Sequence, residues 1–187
     1  MKLRWQFGLL ALMLGISFDL FSQEFCIKRD SILWSTSYRL KWSDFAGRVD
    51  SSSNWMAGCA ASIYVKGFWE NGLPNFSVSN SFIRGDAWTK DTTSVAMLQH
   101  EQLHFDIAEI HARKIRRAVA LLRQQKVKDI EAYSAEIRKL LQMRNDTDSL
   151  YDEQTSHGTY GNQQSEWKQK ILKELQALNN YAVKCHP

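Results

Sequence analysis

The sequence predicts an α+β domain, in which an N-terminal antiparallel sheet packs on one long helix and two further helices complete the core. Three observations carry that expectation. Short β-type segments alternate with turn formers from Ile32 to Phe82. After Gly85 neither Gly nor Pro recurs until Gly158. Within that breaker-free stretch apolar residues return at helical spacing. Composition points the same way: 44% hydrophobic and 24% charged residues, with 2 Pro and 9 Gly in 187, exclude collagenous, low-complexity and disordered chains.

In chain order, the first feature is the apolar run Phe7–Phe18, preceded by Lys2 and Arg4 and followed by the small residue Ser22. It reads as a signal peptide over residues 1–22, with residues 23–187 as a single mature domain. Twelve apolar residues fall short of the ~20 that cross a bilayer, and no later stretch is uniformly apolar. The chain is therefore expected to be exported to the periplasm, cell envelope or exterior, and not to remain an integral membrane protein. Export makes Cys26, Cys59 and Cys185 candidates for one disulfide and one odd thiol, with the pairing open.

Strands are expected at Tyr38–Trp42, Ser62–Trp69 and Asn75–Phe82, separated by Ser51–Asn54 and Asn71–Pro74. A first helix is expected over 94–124, with His100, His104, Ala108, His111, Ile115, Ala118 and Leu122 on one stripe. Asp106, Glu109, Arg113 and Arg116 fall opposite, which predicts a solvated face and a surface ion pair between Glu109 and Arg113, with bracing of the helix against the sheet as the alternative for Asp106. A second helix is expected over 128–144 and a third over 162–183. The polar stretch from Asn145 to Gly161 between them reads as irregular.

The chemistry sits in the first helix, where His100-Glu101-Gln102-Leu103-His104 forms HExxH. Residues four apart lie on one helix face about 6 Å apart along the axis. Both imidazoles can thus bind one Zn²⁺ at ~2.0 Å, and Glu101 is placed to take a proton from metal-bound water. A third ligand is required. His111 follows His104 by seven residues of unbroken helix, ~10.5 Å, too far for the same ion, and reads as a core or outer-sphere histidine. His157 is the expected third ligand, reached when the second helix returns the chain antiparallel to the first. Asp152 and Glu153 are the fallback ligands, and Tyr151 or Tyr160 is a candidate hydrogen-bond donor to a developing oxyanion.

With those residues in view, the chain resembles a bacterial domain-of-unknown-function family, typically secreted and grouped with HExxH metallopeptidases. The resemblance is carried by Leu40–Gly47, Trp88–Lys90, His100 to Glu109 and on to Arg113, Tyr151-Asp152 through Thr155 to His157-Gly158, and Gln163 and Trp167. It implies a zincin-like metal site without implying a defined reaction; the motif itself leads to the expectation of an exported zinc metallopeptidase acting on a peptide, a protein or an envelope component. Two alternatives share these residues: a non-catalytic envelope or partner-binding protein with a closed structural metal site, and a cell-wall amide hydrolase. Nucleic acid is not an expected partner. The sequence pI of about 9.0 is mild, and the Arg113–Arg117 charges spread around a helix without interleaved aromatics. Most of the seven Trp are expected in the core.

Overall fold

The computed structural model describes residues 27, 28 and 30–183. The expected signal peptide, Cys26 and Cys185 lie outside them. Strands β1 (Ile27–Lys28), β2 (Ser31–Leu33), β4 (Ala61–Glu70) and β5 (Leu73–Ile83) form an antiparallel sheet in the order β1-β2-β5-β4, and β3 (Ala57–Gly58) pairs with β6 (Trp88–Thr89) in a separate ribbon. Three helices follow: α1 (Val95–Gln124), α2 (Ile130–Thr155) and α3 (Gly161–Ala177). Among the described residues no helix is long and apolar enough to cross a membrane.

The β4–β5 hairpin turns through Asn71 (φ 53) and Gly72 (φ 73), the pair of left-handed residues that a tight two-residue turn needs to match the twist of its strands. Its inner face carries Ile63, Val65, Phe76 and Val78 onto Ala112, Ile115 and Val119 of α1 and Tyr133, Ile137 and Leu140 of α2. A second core joins Ile32, Trp34 and Phe82 to Leu103, Phe105, Ile107, Tyr151, Trp167 and Ile171. Two of the expected strands lie inside β4 and β5. The third, Tyr38–Trp42, is not a strand: Leu40 N–H donates to Gln102 Oε1 (2.8 Å) and Lys41 N–H to Asp44 Oδ2 (2.8 Å), leading into a short 3₁₀ turn at Trp42–Asp44. Side-chain acceptors there take the donors that a ladder would have used.

Helix α1 begins where expected, with the Ser94 hydroxyl accepting from Met97 N–H. Its environment differs from the expectation, because residues 100–113 are all buried. The sheet covers one side and α2 and α3 cover the other, so no solvated face remains there. Asp106 accepts from Trp34 Nε1 (2.7 Å) and Gln102 Nε2 (2.9 Å). Glu109 and Arg113, expected as a surface pair, form a buried one at 2.9 Å. Arg113 further donates to the Leu175 carbonyl and lies 4.9 Å from the Trp34 ring, while Arg116 reaches Glu109 at 3.0 Å. A buried charge costs several kcal/mol unless partnered, and each of these has a partner.

Helix α2 also departs from expectation. It starts at the Asp129 cap, whose side chain accepts from Glu131 N–H, and continues eleven residues past Arg144 to Thr155. Asn, Asp and Thr are poor helix formers, but the tertiary setting overrides that weak preference: Tyr151 and Thr155 are fully buried. The Arg144–Asp148 ion pair (3.2 Å) closes one further turn. Helix α3 ends at Ala177 rather than Val183, followed by a 3₁₀ turn at Asn179–Tyr181.

Candidate metal centre

The two long helices place four side chains by the same spacing. His100 and His104 are four apart on α1, and Asp148 and Asp152 are four apart on α2. His100 Nε2 and His104 Nε2 lie 3.1 Å apart, and each is 3.0 Å from Asp152 Oδ1. Ligand atoms of a tetrahedral ion with ~2.0 Å bonds are about 3.3 Å apart. The three atoms therefore approximate one face of such a tetrahedron, and two imidazoles with a carboxylate suit a borderline divalent ion. His100, His104 and Asp152 form a group that could hold a metal ion.

Each imidazole is oriented through its other nitrogen. His104 Nδ1–H donates to Asp148 Oδ1 at 2.8 Å, and Asp148 is anchored by Arg144. His100 Nδ1 lies 3.4 Å from Gln164 Oε1, which also accepts from Tyr151 O–H at 2.8 Å. The Tyr151 ring stacks on His100 with centroids 4.7 Å apart. Such outer hydrogen bonds fix tautomer and ring angle, turning each Nε2 toward the other and toward Asp152 Oδ1.

Burial acts to lower the His104 pKa, but hydrogen bonds and charges from Asp148 and Asp152 prevail and raise it to about 10. Asp152 shows the converse. Burial acts to raise it, yet the hydrogen bonds from His100 and His104 and their charges hold it well below the usual carboxylate range.

Glu101 is 4% exposed and opens onto the same cleft, a cavity of about 320 Å³. Burial raises its pKa, partly offset by the two histidines. Among the described residues no group donates a hydrogen bond to it, so its carboxylate is available to a molecule in the cleft. Asp148 and Asp152 line one side, and Trp55, Met56, Cys59 and Met97 make the remaining wall less polar. Burial pushes the Cys59 thiol well above its ordinary pKa. Cys59 is a free thiol.

The residues singled out from sequence fare differently. His100, Glu101 and His104 converge. His157 lines the cleft but stands outside the three-atom group: its Nδ1 is 3.4 Å from Asp152 Oδ1, its ring rests 3.7 Å from that of Trp55, and its side chain is 40% exposed. The extra length of α2 sets Asp152 opposite the two histidines and leaves His157 beyond the helix end, in left-handed backbone (φ 51) after Ser156 (φ 47). Asp152, a fallback ligand in the sequence, rather than His157, completes the three-atom group. Tyr151 is not turned toward the cleft as an oxyanion donor; it is fully buried and bonded to Gln164. His111 makes no contact with the metal group and bonds Thr147 Oγ1 at 3.2 Å.

Asp148 and Gln164 escaped the sequence reading. For Asp148 a signal existed, since Asp148-x-x-x-Asp152 repeats the His100/His104 spacing within the breaker-free stretch. For Gln164 none did. Gly158 also serves the site: its φ of 82 suits glycine, and a Cβ there would lie 2.8 Å from His100 Cγ.

The model of a family of bacterial proteins of unknown function, DUF922, matches residues 34–158. That span contains the cleft and His100, His104 and Asp152, and ends before Gln164. No curated protein and no solved structure matches the chain.

Proposed function

The chain belongs to the DUF922 family of bacterial proteins, and we propose that it is an exported zinc-dependent hydrolase of the zincin type, acting on a peptide or related amide bond. The observation that carries this reading is the convergence of His100 Nε2, His104 Nε2 and Asp152 Oδ1 within 3.0–3.1 Å of one another, beside an unpaired buried Glu101. The N-terminal signal-peptide pattern supports export. In this reading His100, His104 and Asp152 hold Zn²⁺, which supplies Lewis acidity toward water and a carbonyl group.

The protein's own groups do the rest. Glu101 accepts a proton at its carboxylate from the nucleophilic water and passes it to the leaving nitrogen. Its raised pKa brings it closer to the working range of a general base and acid. Asp148 and Gln164 hold the imidazoles in register. The acidic side of the cleft disfavours polyanions, which supports peptide or envelope substrates over nucleic acid.

Zinc stoichiometry by elemental analysis tests the ligand set, with His104→Ala, Asp152→Ala and His157→Ala beside the wild type. One zinc per chain, lost in the first two variants and kept in the third, is the expected result. Glu101→Gln should keep its zinc while hydrolysis of a mixed peptide library falls by roughly 10²–10⁴-fold. Full zinc retention in both His104→Ala and Asp152→Ala, or unchanged hydrolysis in Glu101→Gln, would overturn the reading. Zinc lost in His157→Ala as well would indicate a four-ligand, closed site and favour a structural metal.

A further inference from the structure

The cleft is a trough along α1, with Trp55 to Cys59 as one wall and the end of α2 as the other. Helices α1 and α2 run antiparallel, since Asp148 meets His104 while Asp152 and Gly158 lie against His100. The two walls touch twice. Beyond Asp152, the His157 ring rests 3.7 Å from that of Trp55. Behind Asp148, Arg144 Nη2 reaches from α2 to the carbonyl of Ala61, the first residue of β4, at 3.4 Å. One contact thus closes each end of the trough, and the cavity of about 320 Å³ between them is at the small end for a ligand site.

The Trp55–His157 contact is held from both sides. Trp55 N–H donates to Ser53 Oγ at 3.1 Å, and Lys90, next to β6, donates its N–H to the Met56 carbonyl (2.8 Å) and its ammonium to the Ser53 carbonyl (2.6 Å). His157 stands in a run of three left-handed residues, Ser156 (φ 47), His157 (φ 51) and Gly158 (φ 82), a conformation that residues with a side chain adopt at a cost. Hydrogen bonds from His157 N–H to the Asp152 carbonyl and from Tyr160 N–H to the Thr155 carbonyl, both 2.9 Å, keep it there. Backbone strain held in place at a cleft wall marks a functional position.

The reach on either side of Asp152 is unequal. The end of α2 at Thr155 is three residues on, about 4.5 Å, and an extended chain takes up ~3.3 Å per residue. Arg144 is eight residues back, about 12 Å. About one substrate residue therefore fits on the Trp55–His157 side and about three on the Arg144 side. Charge then selects the chain end. Glu101, Asp148 and Asp152 line the cleft, and none of the described residues lining it is Lys or Arg, so a terminal ammonium is favoured over a terminal carboxylate.

We propose that the cleft takes the free N-terminus of a peptide and removes its first residue, with the Trp55–His157 contact as the stop that limits the reach. The inference rests on the hydrolase reading above. Hydrolysis of the first peptide bond places the hydroxyl of water on the carbonyl carbon and its proton on the leaving nitrogen. One amino acid and a peptide with a new N-terminus are released.

Mass spectrometry of the products of the peptide library tests it. The zinc-loaded wild type should shed single residues from free N-termini at least about ten-fold faster than it cuts an N-acetylated copy of the library, and leave a head-to-tail cyclised copy intact. Trp55 is 50% exposed, so Trp55→Ala removes the stop without opening the core, and His157→Ala removes it from the other wall. Each should narrow the preference for free N-termini and release larger fragments. A binding measurement separates recognition from turnover: in calorimetry, zinc-loaded Glu101→Gln should bind a free peptide at least about ten-fold more tightly than its acetylated form. Equal cleavage or equal binding of free and acetylated peptides, cleavage of the cyclised copy, or a preference unchanged in both variants would overturn this inference and leave the hydrolase reading standing. Zinc-loaded protein that neither binds nor cuts any of the three would overturn both.

Discussion

Asp148 and Asp152 sit one helical turn apart and do different work. Asp152 faces the histidines from across the cleft at their Nε2 atoms, whereas Asp148 touches His104 from behind, at Nδ1. Removing the charge but not the shape of Asp148 should loosen the metal without removing a ligand: Asp148→Asn is expected to weaken zinc affinity by about 10–100-fold in a chelator competition. Protonation should oppose metal in the same site. The His104 pKa, raised to about 10, means that uptake near pH 7 displaces a proton, so affinity should rise with pH up to that value. Calorimetry in buffers of different ionisation enthalpy should register about one proton released per zinc. At this scale HExxH was readable because a helix converts a four-residue spacing into proximity. The Asp148 contribution was not, since it depends on which residue of a second helix arrives opposite.

Helix α1 illustrates how far periodicity carries for a whole element. Its limits and its histidine-bearing stripe follow from spacing and from the Ser94 cap, yet the opposite stripe is polar and buried all the same. Periodicity reports where apolar residues lie; it does not report whether a polar residue meets water or a partner. Glu109 holds both Arg113 and Arg116, so Glu109→Gln leaves the buried Arg113 and the partly buried Arg116 short of a counter-charge and should cost about 3–5 kcal/mol in a denaturant titration. His111 on the same helix predicts a pH response. Burial, with the nearby Lys114 charge, lowers its pKa to about 4, so between that value and the ordinary pKa of ~6.5 the unfolded chain binds the proton more readily. The stabilisation is complete above ~6.5 and is lost as pH falls toward 4. His111→Phe should flatten the unfolding midpoint across that window by at most about 3 kcal/mol.

For the molecule as a whole, the sheet has two unlike ends. At the cleft end, Arg144 serves both the Ala61 carbonyl and Asp148, tying the sheet to the helix that carries Asp148 and Asp152. At the far end, the hairpin tip and its open edge leave exposed aromatic residues. The sequence by itself determined the α+β order of elements, the position of α1, and the His100–Glu101–His104 core of the site, because each follows from interactions within a few residues of chain. It pointed to His157 because His157 was the remaining histidine in reach of a returning chain. Only the tertiary structure decided that α2 runs on to Thr155, that Asp152 takes that place, that Asp148 and Gln164 orient the imidazoles, and that the polar stripe of α1 is buried. Those outcomes depend on packing between segments distant in sequence, where burial of Tyr151 and Thr155 outweighs the weak helix preference of the residues around them.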